Sequence, residues 1–180
     1  VNLAEFDLFA TTHHVIASVE ASSSAGKFDG VRYGHRARGS KDWNEMYLTT
    51  RGESFGPLLK SFLFQGAFYQ FEQYEAFEKA CSLRARLVAS LETLFDNVDF
   101  LVLPTFRGSK PNLETAHTGD LYNLFRFTLP ANLAGLPAAH LPGELLDAKT
   151  SVQIMGRRLD DACLLDLAAR LTRPEGGPVS

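Results

Sequence analysis

The sequence predicts an α/β protein in which a mixed β-sheet core is covered by helices. An apolar stripe with a period close to 3.6 predicts a long helix from about 69 to 95. The stripe consists of Phe71, Tyr74, Phe77, Cys81, Leu87, Leu91 and Leu94. The continuous apolar run 100–103, ended by Pro104, is typical of a strand that is covered on both faces. Two further short apolar runs, 138–141 and 151–155, predict paired strands joined by a loop.

The first half of the chain reads as helices separated by turns. Asn2 is a candidate cap for a helix whose apolar positions continue to Val19 and which ends near residues 22–24. Residues 35–50 are polar and predict a loop, and a short helix is expected around 57–63.

The second half alternates loops, helices and strands. Residues 105–119 predict a loop, and 121–129 a helix that ends before Pro130. A closing helix is expected over 160–172, and the tail 173–178 is expected to fray. The inner face of the closing helix is predicted to comprise Leu164, Leu165, Leu167, Ala168 and Leu171.

Composition narrows the class of protein. With 180 residues, of which 45% are hydrophobic, the chain can bury the core of a single domain spanning 1–180. Its net charge of −3 argues against a general polyanion-binding surface. No apolar run approaches the roughly 20 residues that cross a bilayer, so no membrane contact is expected. The two cysteines, Cys81 and Cys163, are expected to be buried reduced thiols, which favours an intracellular protein.

The chain begins with Val1 rather than Met, and an amphipathic pattern has already begun by Leu3. We therefore expect a piece of a longer protein.

Several chemistry-bearing clusters have simpler structural explanations. The serines 22–24 and Lys27 fit a helix end better than a phosphate loop or a nucleophile set. Adjacent His13 and His14 point about 100° apart on a helix, so no metal site is expected. The basic run from Arg32 to Lys41 is interpreted as solvated loop charge, with a local phosphate or RNA contact as the alternative.

Two blocks rich in Gly and Pro are the most informative part of the chain, Phe28-Asp-Gly-Val-Arg-Tyr-Gly34 and Pro130-Ala-Asn-Leu-Ala-Gly-Leu-Pro137. They indicate turns and close backbone approach rather than an acid, base or nucleophile array. With Glu20-Ala-Ser-Ser23, Thr50-Arg-Gly-Glu-Ser-Phe-Gly56, Leu103-Pro-Thr105 and Gln153-Ile-Met-Gly156, in this order, they resemble the C-terminal half of the amidase signature family. The resemblance covers nearly the whole chain.

The resemblance implies a function and also a missing part. The family's catalysis uses a Lys and two Ser, one of which attacks the amide carbonyl, and these residues lie upstream of the segment that this chain resembles. No catalytic residue is therefore assigned, and the isolated chain is expected to be inactive as the C-terminal portion of an amidase signature enzyme. The similarity is greatest to the amidase subunits of glutamine-dependent tRNA amidotransferases, which release ammonia from an amide donor. The alternatives are a stand-alone hydrolase of apolar or aromatic amides and a non-catalytic assembly subunit.

The resemblance also implies substrate-binding positions. A Tyr, an Arg and an Asp of the family's glutamine pocket fall on His14, Phe62 and Phe125, and Tyr33 lies in the neighbouring turn. All four residues are expected on one surface that faces the catalytic half. Burying a charged amino acid against the two Phe residues would cost several kcal/mol, which favours an apolar amide.

The remaining expectations also follow from the resemblance. No cofactor and no metal are implied. The implied partners are the other subunits of an amidotransferase complex and a small amide substrate, with tRNA contacted only through the complex. The implied location is the mitochondrial matrix in a eukaryote and otherwise the cytoplasm.

Overall fold

The structure is a computed structural model that describes residues 2–3, 5–106, 117–143 and 151–172. It divides into two compact units, one formed by residues 12–81 and the other by 1–11 together with 82–180. The single domain over 1–180 stays a prediction. The tail 173–178 and most of the expected loop 105–119 lie outside the described residues.

The described residues form helices and a small sheet, which confirms the α/β class. The helices are α1 (Leu8–Ser24), α2 (Trp43–Ser54), α3 (Pro57–Phe71), α4 (Tyr74–Leu94), α5 (Thr118–Leu124), α6 (Leu129–Ala134) and α7 (Asp161–Leu171), with a 3-10 turn at Ala25–Lys27. The strands are β1 (Leu101–Pro104), β2 (Ala138–Leu141) and β3 (Val152–Met155).

In the unit formed by residues 12–81, α1 and α3 cross at a glycine. A Cβ placed on Gly66 would lie 1.9 Å from the carbonyl oxygen of Ser18, so only glycine permits this approach. Ser18 itself is fully buried and donates its hydroxyl to the Val15 carbonyl at 3.0 Å. The crossing therefore depends on the absence of a side chain on α3.

Helix α2 occupies most of the segment predicted as a polar loop, so that prediction is wrong from residue 43 onward. Asp42 caps the helix by accepting a hydrogen bond from the Glu45 N–H at 2.8 Å. The Glu45 carboxylate accepts from the Lys41 N–H at 2.7 Å. Few apolar side chains of α2 are buried (Leu48 is 68% exposed), which explains why its periodicity does not predict a helix.

Helices α3 and α4 divide the aromatic-rich segment differently from the prediction. The expected short helix at 57–63 continues to Phe71, where the N–H groups of Glu72 and Gln73 both donate to the Phe68 carbonyl and end it. The predicted stripe is wrong at its start, because Phe71 and Tyr74 are exposed. It is confirmed further along α4, where Leu87 and Leu91 are among the most buried side chains.

The three described strands form an antiparallel sheet in the order β1-β3-β2. The predicted pairing of 138–141 with 151–155 is confirmed, with Ala139 opposite Ile154. Helix α7 packs on β2, and Leu164 joins Leu141 and Ile154 in one buried cluster. The side of the sheet next to α7 is thus part of the core.

Strand β1 is covered unevenly, so the prediction of a strand buried on both faces is wrong. Leu101 is 6% exposed, whereas Val102, which points to the opposite face, is 60% exposed. Because β1 is an edge strand and α7 packs on the opposite edge strand, no described element covers Val102.

Two helix boundaries and one helix face also differ from expectation. Helix α1 begins at Leu8, so Asn2 is not its cap. Pro130 lies in the first turn of α6 rather than after a helix spanning 121–129, because proline lacks only an N–H that would have no partner there. Helix α7 buries Leu164 but leaves Leu165 64% exposed, so its predicted inner face is only partly confirmed.

The two cysteines carry no disulfide, yet both are exposed, so the expectation of buried thiols is wrong.

Candidate functional site

Residues 28–34 form a turn that is held by one carboxylate. Asp29 Oδ1 accepts hydrogen bonds from the backbone N–H groups of Val31 and Arg32 at 2.9 and 3.0 Å. The bond from the Arg32 N–H has the largest effect, and together with that from Val31 it holds the pKa of Asp29 below its usual value. Gly30 and Gly34 adopt φ values of 74° and 76°, the left-handed region that favours glycine. The first glycine-rich block is therefore a structural turn, as its composition predicts.

The turn is docked on α2 through Gly30. A Cβ on Gly30 would lie 2.9 Å from Thr50 Oγ1 and 3.1 Å from Met46 Sδ. The buried Thr50 hydroxyl accepts a hydrogen bond from the Ala37 N–H at 3.0 Å and contacts Met46 Sδ at 3.5 Å. The turn and the chain that follows it thus rest on the same face of α2.

The block 50–56 contacts the start of the turn and the residues before it through Arg51 and Phe55. Arg51 donates to the Ala25 carbonyl at 2.8 Å, and its guanidinium lies over the rings of Tyr47 and Phe55, 5.3 and 4.9 Å from their centres. Phe55 in turn packs edge-on against Phe28, with ring centres 6.3 Å apart. The blocks 28–34 and 50–56 are consequently one interlocked unit.

A side-chain hydrogen bond extends this contact to the loop after the turn. His35 Nε2 lies 2.5 Å from a carboxylate oxygen of Glu53, which belongs to the second block. Both side chains are about half exposed, so the pair contributes little to stability.

Two of the four predicted binding residues are brought together. The rings of His14 on α1 and Phe62 on α3 meet edge to face with centres 5.6 Å apart. His14 Nε2 lies 2.6 Å from Gln65 Oε1, while the Gln65 amide NH₂ group donates to the Ser61 carbonyl at 3.3 Å. Because the amide oxygen can only accept, the ring nitrogen donates in this assignment. Both rings are partly buried.

The other two predicted residues are exposed aromatic side chains. Tyr33, 55% exposed, lies in the turn between Gly30 and Gly34. Phe125, 41% exposed, directly follows α5 and belongs to the unit formed by 1–11 and 82–180. A single surface shared by all four residues remains a prediction.

His13, next to the predicted binding residue His14, is held toward its neutral form. Burial first, and then the neighbouring His14, lower the pKa of His13, while Glu20 acts in the opposite direction. Among the described residues no group of three or more His, Cys, Asp or Glu side chains is placed to hold a metal ion.

The block 130–137 covers most of the short buried helix α6, with Pro130 in the first turn of the helix and a glycine of left-handed conformation at its end. Gly135 ends α6 with φ 66°, and the N–H of Leu136 returns to the Ala131 carbonyl at 3.0 Å. The Pro137 carbonyl then accepts from the Gly156 N–H at 3.0 Å. The block leads the chain from α6 into β2 and supplies no reactive group.

Sequence analysis missed a polar row across the sheet. His140 on β2 is opposite Gln153 on β3, and His140 Nδ1 lies 2.9 Å from the hydroxyl of the buried Thr105. The buried Gln153 donates its amide to the Phe127 carbonyl. The signal was available, because His140 and Gln153 interrupt two otherwise apolar runs that were predicted to pair.

Another cleft lies around the loop after the glycine turn. It has a volume of about 1210 Å³ and is lined by Arg36, Arg38 and Trp43 among others. None of His14, Tyr33, Phe62 and Phe125 lines this cleft. No helix in the described part of the chain is long and apolar enough to cross a membrane.

Known proteins are similar to this chain over nearly its whole length. The sequence model of the Amidase family matches residues 1–165. The chain belongs to the amidase family. The A subunit of glutamyl-tRNA(Gln) amidotransferase from Fusobacterium nucleatum is 36% identical over 169 residues, which cover 92% of this chain and 35% of that protein. Its counterpart from Lactobacillus gasseri is 33% identical over 178 residues, which cover 96% of this chain and 37% of that protein.

A solved structure shows the same family relationship. The A subunit of the Thermotoga maritima glutamyl-tRNA(Gln) amidotransferase superimposes with a TM-score of 0.56 at 26% identity, over 91% of this chain and 32% of that one. The chain thus spans about a third of the length of the relatives that it matches. The α/β fold and the family are thereby shown.

Proposed function

We propose that this chain is the C-terminal portion of the amidase subunit of a glutamyl-tRNA(Gln) amidotransferase, which releases ammonia from an amide donor. The observation that carries the proposal is the similarity of 92% of the chain to the A subunit of such an enzyme at 36% identity. The interlocked blocks 28–34 and 50–56 support it, because they provide a rigid wall rather than reactive groups. The family resemblance implies that the nucleophile and its base lie upstream of the segment that this chain resembles.

The same proposal gives His14, Phe62, Tyr33 and Phe125 a role in contacting the amide donor. The edge-to-face pair of His14 and Phe62 supports this role, since it presents one hydrogen-bonding ring and one apolar ring side by side. Phe62 and Phe125 offer no partner for the carboxylate and ammonium of glutamine. An aromatic or apolar amide is therefore the alternative donor that the test must distinguish.

The proposed partners are the other subunits of the amidotransferase, with tRNA contacted through the complex. The names of the relatives support an enzyme of several subunits, because each relative is named as one lettered subunit of an amidotransferase. We propose a location inside the cell. The relatives described above are bacterial, so the mitochondrial expectation has no support.

The test uses the whole natural polypeptide that carries residues 1–180, purified with its partner subunits. Ammonia release is measured from glutamine and from an aryl amide, with and without glutamyl-tRNA(Gln). The proposal expects glutamine turnover that glutamyl-tRNA(Gln) stimulates. Aryl amide hydrolysis alone would support the stand-alone hydrolase, and turnover of neither substrate would support the non-catalytic assembly role.

The binding role is tested separately by the pair of changes Phe62→Arg and Phe125→Asp. They should raise the ratio of glutamine to aryl amide turnover, since they supply charges opposite to those of glutamine. Phe62→Leu with Phe125→Leu is the matched control and should leave glutamine turnover no better. If the charged pair gives no gain in the ratio, the assignment of these positions is wrong.

A further inference from the structure

A second cleft, of about 310 Å³, lies in the unit formed by residues 12–81. Its wall combines two cations, Arg51 and Lys60, with the apolar side chains of Phe55, Leu63 and Phe64. No Asp or Glu of the described residues lines it. The volume is at the lower end of the range of about 300–1,000 Å³ for small-molecule sites.

Arg51 is held in place before any ligand arrives. Its guanidinium lies over the rings of Tyr47 and Phe55 and, among the described residues, donates a hydrogen bond to the Ala25 carbonyl. A guanidinium has five N–H donors, and Arg51 forms no ion pair with a carboxylate of the described residues. A cation fixed in this way loses little conformational entropy when it binds an anion.

Lys60 presents a second charge to the same cleft. Its partly buried side chain donates from the ammonium to the Gly52 carbonyl at 2.7 Å, which leaves two further donors. Its hydrogen-bond partner, like that of Arg51, is a neutral carbonyl, so neither positive charge is neutralised within the described residues. Two such charges beside apolar surface favour an anion that also carries an apolar group.

We propose that this cleft binds a small organic carboxylate with an aryl or branched alkyl group. The carboxylate lies between Arg51 and Lys60, and the apolar group packs against Leu63 and the exposed ring of Phe64. A neutral amide of the same shape makes weaker contacts, because charge-assisted hydrogen bonds are about twice as strong as neutral ones.

The test measures binding of 3-phenylpropionate and of neutral 3-phenylpropionamide by titration calorimetry and ligand-observed NMR. It uses the whole natural polypeptide that carries residues 1–180. The acid should bind at least about 10-fold more tightly than the amide, and Lys60→Gln should remove a similar factor. Lys79→Gln is the matched control, since Lys79 is an exposed lysine on α4 that pairs with Glu75 four residues earlier and does not line the cleft.

Arg51→Gln should abolish binding of the acid, and circular dichroism shows whether that variant is folded. If it is not, the Lys60→Gln result decides, because Lys60 anchors no buried group. Equal affinity for acid and amide, unchanged affinity in Lys60→Gln, or no saturable binding of the acid at 10 mM (roughly the weakest useful affinity) would each overturn the proposal. Displacement of the acid by an equal concentration of inorganic phosphate would also overturn it, since the apolar wall would then contribute nothing.

Discussion

Replacing Gly66 by alanine should destabilise the protein through a single backbone contact. The new Cβ would lie 1.9 Å from the Ser18 carbonyl oxygen and 2.4 Å from the Ser18 carbonyl carbon. Helices α1 and α3 would have to separate by more than about 1 Å, because real Cβ contacts closer than 3.0 Å essentially do not occur. Overpacking of this kind costs about 1–3 kcal/mol and occasionally more, against which better helix propensity recovers about 1 kcal/mol. Since the obstacle is backbone rather than a flexible side chain, we expect the upper end of that range and a net loss of about 2 kcal/mol.

The measurement is the free energy of unfolding from urea titration, followed by far-UV circular dichroism. Gly52→Ala is the matched control, because Gly52 lies within α2 and a Cβ there would meet nothing within 4 Å. The control should be neutral or stabilise the protein by up to about 1 kcal/mol. If Gly66→Ala is as harmless as the control, the described crossing of α1 and α3 is wrong.

Three further changes probe other parts of the described chain. Thr12→Val should stabilise the protein by up to about 1–2 kcal/mol in urea titration, because the Thr12 hydroxyl is buried without a hydrogen-bond partner among the described residues. A loss of stability in this variant would mean that the hydroxyl does have a partner. Asp29→Asn should destabilise the protein most above about pH 4, and the difference from wild type should shrink as pH falls through the lowered pKa of Asp29, since that carboxylate stabilises the fold only when ionised. A difference that does not vary between pH 2 and 7, in urea titrations at each pH, would contradict this role. Leu87→Ala should cost about 2–5 kcal/mol, because Leu87 is fully buried, whereas a loss below about 0.5 kcal/mol would mean that its face of α4 is assigned wrongly.

The local sequence pattern was sufficient to predict an element where that element is short, apolar and bounded by clear turn residues. The runs at 138–141 and 151–155 predicted the β2 and β3 pair because each is bounded by residues that favour turns or loops. Residues 28–34 predicted a turn because glycine adopts positive φ readily. The structure shows positive φ at both glycines of this block, Gly30 and Gly34. These features depend on the conformational preferences of neighbouring residues, which the sequence states directly.

Helix α2 has a clear start signal although its apolar periodicity is weak. Its buried apolar side chains are too few for a clear 3.6 period, since Met46 is buried but Trp43 and Leu48 are exposed. The pair Asp42 and Glu45 is nevertheless a helix-start signal. Asp42 accepts from the Glu45 N–H, and Glu45 reaches back to the N–H of Lys41, the residue before the cap. A search for caps rather than for periodicity would have found this helix.

Some of the candidate binding residues were predicted from the sequence, and others are revealed only by the packing of helices. The resemblance predicted His14 and Phe62 as neighbours from positions 48 residues apart, and their edge-to-face contact agrees with a shared site without testing its function. The cleft between Arg51 and Lys60 had no signal in the sequence. Its charges come from α2 and α3, and only the packing of these helices leaves both facing one space without a carboxylate of the described residues.

The sequence by itself determined the family, the α/β class and the turns, because these depend on residue order and local backbone preference. Tertiary structure decided which apolar faces are covered, since burial depends on the neighbours of each element rather than on its own pattern. Leu101 and Val102 belong to the same apolar run, yet one is 6% and the other 60% exposed. Gly66 likewise looks like any helical glycine until the Ser18 carbonyl is found 1.9 Å from where its Cβ would be.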